Sequence, residues 1–569
     1  MSSTNRKWQV APQIPQDFLQ AFCDAGFDPL LAQLLYRRGV ASPEEARAFF
    51  DPPESGNPFL LPDMSEAVTR LREAIRRGEA IVVYGDYDAD GVTATALLVD
   101  VLASLGARVS PYIPHRVDEG YGLHEEALAE LLQSGCRLVV TVDCGVRSIP
   151  EAEWARDHGL DMIITDHHSA GESLPPAIAC IDPKRKDSRY PFEELSGVGV
   201  AFRLAQALLR SHEQVPILSE SEPLSEADLL DLVALGTVAD LAPLVGENRT
   251  LVKSGVEAIR RTHRPGLREL IASSNLQGPV SVGHIGFILG PRLNAAGRLD
   301  TAMDSYELLT TRSIEKAREL ARKLDECNRE RQRLTAEAVD KARSIALEGG
   351  GPAPLIFVAD EGILGGIAGL VASKLTEEFY RPSVIVSITD EGSRGSARSI
   401  PEWNVTAALD RCSGLLVRHG GHAAAAGFEV ENHLLDALHA ELLKMAGQEL
   451  EGLDLAPTLT VDAEVSLGQM TWDTLRALSR LEPHGYGNPA PVFLCRGAQV
   501  KDSRIVGEKH LKLMLSDGRA VWDAIAFRQA DRAAGLAHRV DVVFSLEVNS
   551  WNGQDRLQLH VKDISPSRD

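Results

Sequence analysis

Three things are scarce in this sequence: pairable cysteines, long apolar runs and positive charge. The seven cysteines among 569 residues (Cys23, Cys136, Cys144, Cys180, Cys327, Cys412, Cys495) are odd in number, and no two form a Cys-x-x-Cys pair. This excludes a disulfide framework or a zinc ribbon as the organising device and points to a reducing cytoplasm. No apolar run is long enough to span a bilayer, so no membrane partner is expected. Residues 1–14 contain no apolar signal-peptide core. A net charge of −22 leaves no overall basic footprint of the kind nucleic-acid binders usually show. That absence is indecisive, because a basic cleft can sit on an acidic body. No internal repeat and no low-complexity tract is present.

What remains is the composition of a globular protein, 44% hydrophobic and 25% charged. The length implies three or four domains. Residues 1–60 carry short helical patterns, such as 43–50, and close on a Pro/Gly-rich stretch at 51–58 that reads as a linker. In 61–312, apolar runs at 80–85, 108–113, 137–142, 161–165 and 177–181 alternate with amphipathic segments, the mark of a doubly wound parallel sheet. A helix-rich part follows from 197. Residues 313–348 then run without glycine or proline, with Ser313 placed as an N-cap and Gly349-Gly350-Gly351-Pro352 as the stop. As one helix this segment would reach about 50 Å and bridge two domains; a break near Cys327-Asn328 would make it two. A second α/β domain is expected over 349–450, with strands at 354–359 and 383–388. In 457–569 the pattern changes to short alternating strands, at 459–464, 510–515, 520–527, 541–547 and 556–561, which suggests a small barrel such as an OB-fold. The expected class is therefore α/β: a parallel-sheet domain, a long helix, a second α/β domain and a C-terminal β-barrel.

The chemistry concentrates where apolar runs end. Ile81-Val82-Val83-Tyr84-Gly85 closes on Asp86, Asp88 and Asp90. If the strand persisted, alternation would point all three carboxylates the same way, a crowding that a cation would relieve. Two further runs end in Val142-Asp143-Cys144-Gly145 and in Thr165-Asp166-His167-His168, and a fourth, 232–239, ends at Asp240. In open α/β sheets, ligands bind at this carboxyl edge of the strands. Carboxylates mixed with imidazoles suit Mn²⁺ or a similar first-row ion better than Ca²⁺. Any one of these aspartates could be only a helix cap. The convergence of three such strand ends is what argues for a metal site. Two ions about 3.5–4 Å apart would activate water for attack on a phosphoryl group.

In order and spacing, Gly85-Asp86-Tyr87-Asp88-Ala89-Asp90-Gly91, Val142-Asp143-Cys144-Gly145, Asp166-His167-His168 and Gly236-Thr237-Val238-Ala239-Asp240 resemble the motifs of the DHH phosphoesterase superfamily. Residues 115–123, 195–202, 290–299, 328–332, 395–399, 420–428 and 485–493 resemble its RecJ branch, the single-strand-specific 5′→3′ DNA exonucleases. The resemblance covers residues 80 to about 565. It implies a DHH domain (61–312), a connecting helix (313–348), a DHHA1 domain (349–450) and an OB-fold (457–569). It also implies two Mn²⁺ or Mg²⁺ ions held by Asp88, Asp90, Asp143, His167 and Asp240, with Asp86 as a secondary candidate. His168 would sit on the scissile phosphate and Asp166 would orient its neighbours.

Arg116, Arg292, Asn294 and Arg298 are candidate phosphate contacts, each equally readable as part of a salt-bridged helical subdomain. Ser396 and Arg398, on what reads as a glycine-flanked loop, could hold a phosphate. Gly421 and His422 could line the strand. The barrel would add single-strand affinity through Trp522, Phe527 and Trp551, unless these are core. Where many relatives carry His-x-Gly, this chain has Leu364-Gly365-Gly366, so no functional histidine is assigned there. The implied partners are single-stranded DNA, a helicase and a single-strand-binding protein, acting on a monomer. Two rivals remain. Another DHH phosphoesterase would not need residues 313–348 and 457–569, and a silent DNA-binding scaffold would not need the intact carboxylate set.

Overall fold

Five apolar segments build one parallel sheet in the order Arg108–Tyr112, Ala80–Gly85, Cys136–Val142, Asp161–Thr165 and Ala179–Ile181. This computed structural model describes residues 6–52, 56–116, 119–217, 224–348, 352–390, 392–551 and 554–567. The first strand of the sheet lies inside it, between the second and the third, so the winding reverses beside it. Register places Gly85 opposite Val142, and both Asp86 and Asp143 emerge at that reversal. A switch point of this kind opens a crevice at the carboxyl edge of the sheet. Beneath it the apolar faces of Ala89–Ser104 and Gly197–Gln214 are almost entirely buried.

Residues Ile314–Leu347 form one 34-residue helix, so the alternative of two helices is set aside. Ser313 caps it, its Oγ accepting the Lys316 N–H at 3.2 Å. The stop expected at 349–351 lies outside the described residues. Leu320, Ala321 and Leu324 join the core of the parallel-sheet domain, whereas Ala338, Val339 and Ala342 pack with Ile356, Val358 and Ile367 of the next domain. The helix is therefore tied at each half by a different core.

The second domain holds a mixed sheet ordered Arg418–His422, Ala425–Val430, Gly392–Arg398, Ser383–Thr389 and Ile356–Asp360. Ser396 and Arg398 lie on a strand in the middle of this sheet, not on the loop that the glycines suggested. Glycine is a poor strand former, but here Gly395 makes room for an aromatic ring. A Cβ at residue 395 would stand 2.0 Å from the Phe428 ring. Gly395→Ala is expected to lower stability by about 1–3 kcal/mol through overpacking. A denaturant midpoint indistinguishable from that of the parent would refute this.

The barrel closes through Phe493–Val506, His510–Ser516, Val521–Ala526, Gln554–Pro566 and Arg539–Trp551, the last pairing back onto the first. Phe493–Val506 had no strand signature, because most of its second half is exposed and polar. Contacts divide the chain into residues 56–455 and a second unit made of residues 1–55 with 456–569. Within the second unit, Lys7–Val10 pairs in parallel with Thr458–Val461. Phe22, Leu31, Leu34 and Leu35 share one core with Phe493 and Phe544. The N-terminal helices thus belong with the barrel. Of the expected linker, residues 53–55 lie outside the described residues. All seven cysteines are free, and no helix among the described residues is long and apolar enough to cross a membrane.

Candidate metal and phosphate site

The strand that should have carried three aspartates stops at Gly85. Asp86 follows it directly. Asp88 is the N-cap of Ala89–Ser104, its Oδ1 accepting the N–H groups of Asp90 and Gly91 at 2.8 and 3.2 Å. Asp90 sits in the first helical turn, so strand alternation is not what brings the three together. The tight turn between strand and helix does this instead. It needs Gly91, where a Cβ would lie 2.5 Å from the Asp86 carbonyl oxygen. Asp90 is gripped from across the crevice. Its two oxygens accept the Gly197 and Val198 N–H groups at 2.6 and 2.9 Å, at the positive end of the Gly197–Gln214 helix.

Asp143 leaves its strand in the left-handed region, at φ 63°. Its carboxylate presses against Gly197, where a Cβ would stand 2.6 Å from Oδ1. Asp240 is the C-cap of Leu230–Ala239, an entirely helical apolar run where a strand or loop was expected. Buried on all sides, that helix shows no polar face to betray its period.

The ligand atoms fall into three overlapping groups: Asp86, Asp88 and Asp143; Asp90, His167 and Asp240; and Asp143, His167 and His168. Within each group they lie within 4.8 Å of one another. Burial, and after it the neighbouring carboxylates, raise the Asp86 and Asp143 carboxyls well above their usual range. Burial, then Asp88, lifts Asp90 to about 7 against the two backbone amides. Burial, then Asp90 and Asp88, lifts Asp240 to about 9. Burial also lowers His167 to about 3, which leaves its imidazole neutral. Asp86 Oδ1, Asp143 Oδ1 and His167 Nε2 are buried with no hydrogen-bond partner. Two of them, Asp143 Oδ1 and His167 Nε2, stand only 3.0 Å apart. Buried acceptors left unpaired beside crowded carboxylates fit a divalent ion in donor chemistry.

Asp166 behaves differently. It accepts the Val146 N–H at 2.9 Å, the His167 and His168 N–H groups at 2.7 and 3.1 Å, and His168 Nδ1 at 2.7 Å. Burial opposes ionisation, but these bonds, led by that of His168, hold the carboxyl at about 2. It is an anchor whose oxygens are spoken for. For His168, burial is outweighed by the Asp166 bond and the other carboxylates, which raise its pKa. The hydroxyl of Tyr121 lies 3.2 Å from His168 Nδ1 and 3.3 Å from the Asp143 carbonyl oxygen. Sequence reasoning passed over Tyr121 as part of a glycine-flanked motif; only its place beside the histidine marks it.

The phosphate candidates separate. Arg292 is held by Asp325 and by the Ile288 carbonyl oxygen, a structural pairing. Asn294 accepts the Ala89 N–H at 2.7 Å and so positions the aspartate turn. Arg116 stacks over Tyr87 at 4.7 Å. Arg298 bonds the Gly366 carbonyl oxygen at 2.9 Å, which explains the glycine at that position: a Cβ there would meet the Arg298 carbonyl oxygen at 2.2 Å. Burial first, then Arg116 and Arg331, bring Arg298 down to about 10. Arg398 is likewise lowered by burial and by Arg116. Arg116, Arg298, Arg331 and Arg398 therefore form one cationic cluster beside the aspartate turn. Arg331 lies in the segment 328–332, to which the sequence assigns no role of its own. Gly369 admits Arg398 and Ser396, a Cβ there lying 3.1 Å from Arg398 Nη2 and 3.7 Å from Ser396 Oγ. Gly421 and His422 lie on the exposed edge strand, and no described contact joins them to the carboxylates. Of the barrel aromatics, Phe527 is exposed and flanked by His510 and His560, whereas Trp522 packs on the barrel core. The side chain of Trp551 lies outside the described residues.

Comparison with known proteins agrees with this architecture. Residues 80–237 match the N-terminal domain of the DHH family, 353–452 the DHHA1 domain and 461–563 the RecJ OB domain. The single-stranded-DNA-specific exonuclease RecJ of Bacillus subtilis (strain 168) is 37% identical over 578 residues, spanning 100% of this chain and 72% of that protein. Its counterpart in Dickeya dadantii (strain 3937) is 36% identical, over 94% of this chain and 96% of that protein. The crystal structure of RecJ from Thermus thermophilus in complex with Mn²⁺ matches with a TM-score of 0.85 at 32% identity, covering 99% of this chain and 80% of that one. The Mg²⁺ complex of the same protein matches with a TM-score of 0.80 at 31% identity, covering 99% of this chain and 79% of that one. This chain belongs to the RecJ family, with the DHH, DHHA1 and OB domains in that order.

Proposed function

We infer that this chain is a metal-dependent exonuclease that degrades single-stranded DNA 5′→3′ to 5′-mononucleotides in recombination and repair. One observation carries the reading: a crevice lined by converging carboxylates and a histidine adjoins a cluster of half-buried arginines. Asp86, Asp88, Asp90, Asp143, His167 and Asp240 would hold two Mn²⁺ or Mg²⁺ ions. Bound there, the ions would lower the pKa of water and neutralise the charge that develops on the phosphate. His168 keeps Nδ1 on Asp166, so Nε2 is the nitrogen it offers to the scissile phosphate. Asp166, saturated with hydrogen bonds, fixes both histidine backbones and orients that ring.

The arginine cluster supports the polarity. Cations withdrawn from water without full neutralisation suit a terminal phosphate, which carries more charge than an internal phosphodiester. A 5′-phosphate seated on Arg298 and Arg398 would bring the first internal linkage toward the carboxylates. The relatives' names support the choice of single strands. A cytoplasmic monomer working with a helicase and a single-strand-binding protein is the corresponding cellular setting.

End-labelled single-stranded DNA incubated with Mn²⁺ should lose its 5′ label first, as a mononucleotide. Loss of the 3′ label first overturns the polarity, and equal digestion of blunt duplex overturns the strand selectivity. Arg398→Gln is expected to raise KM for a 5′-phosphorylated strand about 10-fold or more, as loss of a charge-assisted contact requires. A 5′-hydroxyl strand should feel it far less. An equal loss on both ends would remove Arg398 from the terminal phosphate.

A further inference from the structure

The run Arg260-Arg261-Thr262-His263-Arg264 gathers basic side chains in a chain whose net charge is −22. It joins two helices. Gly246–Arg260 ends there, and Pro265, which has no N–H to extend that helix, takes the first position of Pro265–Ser273. Arg264 turns inward and is only 9% exposed. Its Nη1 donates to Asp100 Oδ2 at 2.6 Å and its Nε to Asp231 Oδ1 at 3.3 Å. Asp100 lies on Ala89–Ser104, which carries Asp90 in its first turn, and Asp231 lies on Leu230–Ala239, which ends at Asp240. The two helices therefore run antiparallel, with the carboxylate crevice at one end and Arg264 at the other, about 15 Å away along the axis.

A cavity of about 250 Å³ opens at this far end, lined by Arg264 together with Arg261, His263 and Arg312. Its acids are already committed. Asp100 and Asp231 neutralise Arg264, and Asp231 also accepts the Thr262 hydroxyl at 2.7 Å and the Leu232 N–H at 2.8 Å. Asp228 accepts the Ser225 hydroxyl and N–H on Oδ2, bonds that hold its carboxyl below the usual range. Arg261 and Arg312, by contrast, form no ion pair or hydrogen bond with any described residue. The uncommitted charge of the cavity is thus positive. Leu224, Ala227 and Ala258 supply an apolar part of the lining, and no described hydrogen bond occupies Asp228 Oδ1.

We propose that this cavity is a binding site, separate from the carboxylate crevice, for a nucleoside 5′-monophosphate. The phosphate dianion would pair with Arg261 and Arg312, whose guanidiniums present forked donors to phosphate oxygens. A bare phosphate would leave the apolar lining uncovered. A base would cover it and present an amino group to Asp228 Oδ1. Small-ligand pockets are built this way, with apolar surface for the body of the ligand and a few placed polar groups for its orientation. Such a site is independent of the exonuclease reading, although mononucleotides released by that reaction belong to the same chemical class.

Isothermal titration of dAMP into the full-length protein tests the site. Chelator keeps metal out of the carboxylate crevice, and an Arg398→Gln background weakens the cationic cluster beside it. This protein should bind a single dAMP. Addition of Arg261→Gln or Arg312→Gln should weaken binding about 10-fold, as loss of a charge-assisted contact requires. Ala227→Trp fills the cavity without altering its charge and should weaken binding by a similar factor or more. All three side chains are exposed, so these variants should melt as the background protein does. Inorganic phosphate and deoxyadenosine should each bind at least about 10-fold more weakly than dAMP. No binding of dAMP overturns the proposal, and so does binding that Arg312→Gln and Ala227→Trp leave unchanged. Inorganic phosphate that binds as tightly as dAMP overturns the nucleotide, and deoxyadenosine that does so overturns the role of the arginines.

Discussion

Asp143→Asn is expected to lower kcat on single-stranded DNA by roughly 10³-fold or more, because Asp143 would be a metal ligand and its loss would remove several kcal/mol of transition-state stabilisation. Asp143 belongs to two of the three ligand groups, one with Asp86 and Asp88 and one with the histidines. No other carboxylate does. Asparagine is the informative replacement, since the residue sits at φ 63° and asparagine tolerates the left-handed region far better than alanine. It also keeps the volume that presses on Gly197. The metal-free variant should be at least as stable as the parent at pH 8, because one of several mutually repelling buried carboxylates has gone. Its melting temperature should respond much less to Mn²⁺. Full activity would remove Asp143 from the site, and so would an undiminished metal-dependent rise in melting temperature.

The sequence made this residue legible because a continuous β-branched run ended on it, and the same signal exposed Asp86 and the Asp166-His167-His168 triplet. Burial of a parallel strand on both faces leaves an apolar run with an abrupt polar end, a pattern that survives without any structure. Asp240 follows an apolar run as well, but a helix buried all round looks the same as a strand. The position was readable and the element was not. Asp86 was ranked below its neighbours, yet it is buried with an unpartnered Oδ1 in one group with Asp88 and Asp143. Asp90, ranked above it, already spends both oxygens on amides of a helix more than a hundred residues away in sequence. No local pattern reports that contact.

The phosphate side was read less well, for a related reason. Arginines in a helical subdomain look alike in sequence. Only folding separates Arg292, neutralised by Asp325, from Arg298 and Arg398, which crowd other cations. Glycine-rich segments misled in the opposite direction. Gly392–Arg398 looked like a loop because its strand is built for close approach to Phe428 rather than for β-propensity.

Removal of the metal should abolish activity and, between pH 7 and 9, should leave a protein that becomes less stable as the pH rises. Asp90 at about 7 and Asp240 at about 9 are raised well above an unfolded aspartate near 3.9. Asp86 and Asp143 are raised in the same direction. In this range the folded protein still holds protons that the unfolded chain has released. The stabilising contribution of such a group is complete below the unfolded pKa and is lost as pH climbs through the folded one. Each group lying between its two pKa values therefore costs about 1.4 kcal/mol per pH unit. His167, lowered to about 3, and Asp166, at about 2, act only below this window, whereas His168, raised against burial by Asp166 and the other carboxylates, adds to the same downward trend. Divalent ions should reverse the trend, because they bind the ionised cluster and displace its protons. Melting temperatures in chelator should fall from pH 7 to 9, and the increment given by saturating Mn²⁺ should widen over the same range. Adding Mn²⁺ to a weakly buffered sample at pH 7 should release protons. A chelated protein whose melting temperature is flat or rises from pH 7 to 9 would mean that the cluster is ionised without metal, and the electrostatic case for a cation at this crevice would fall.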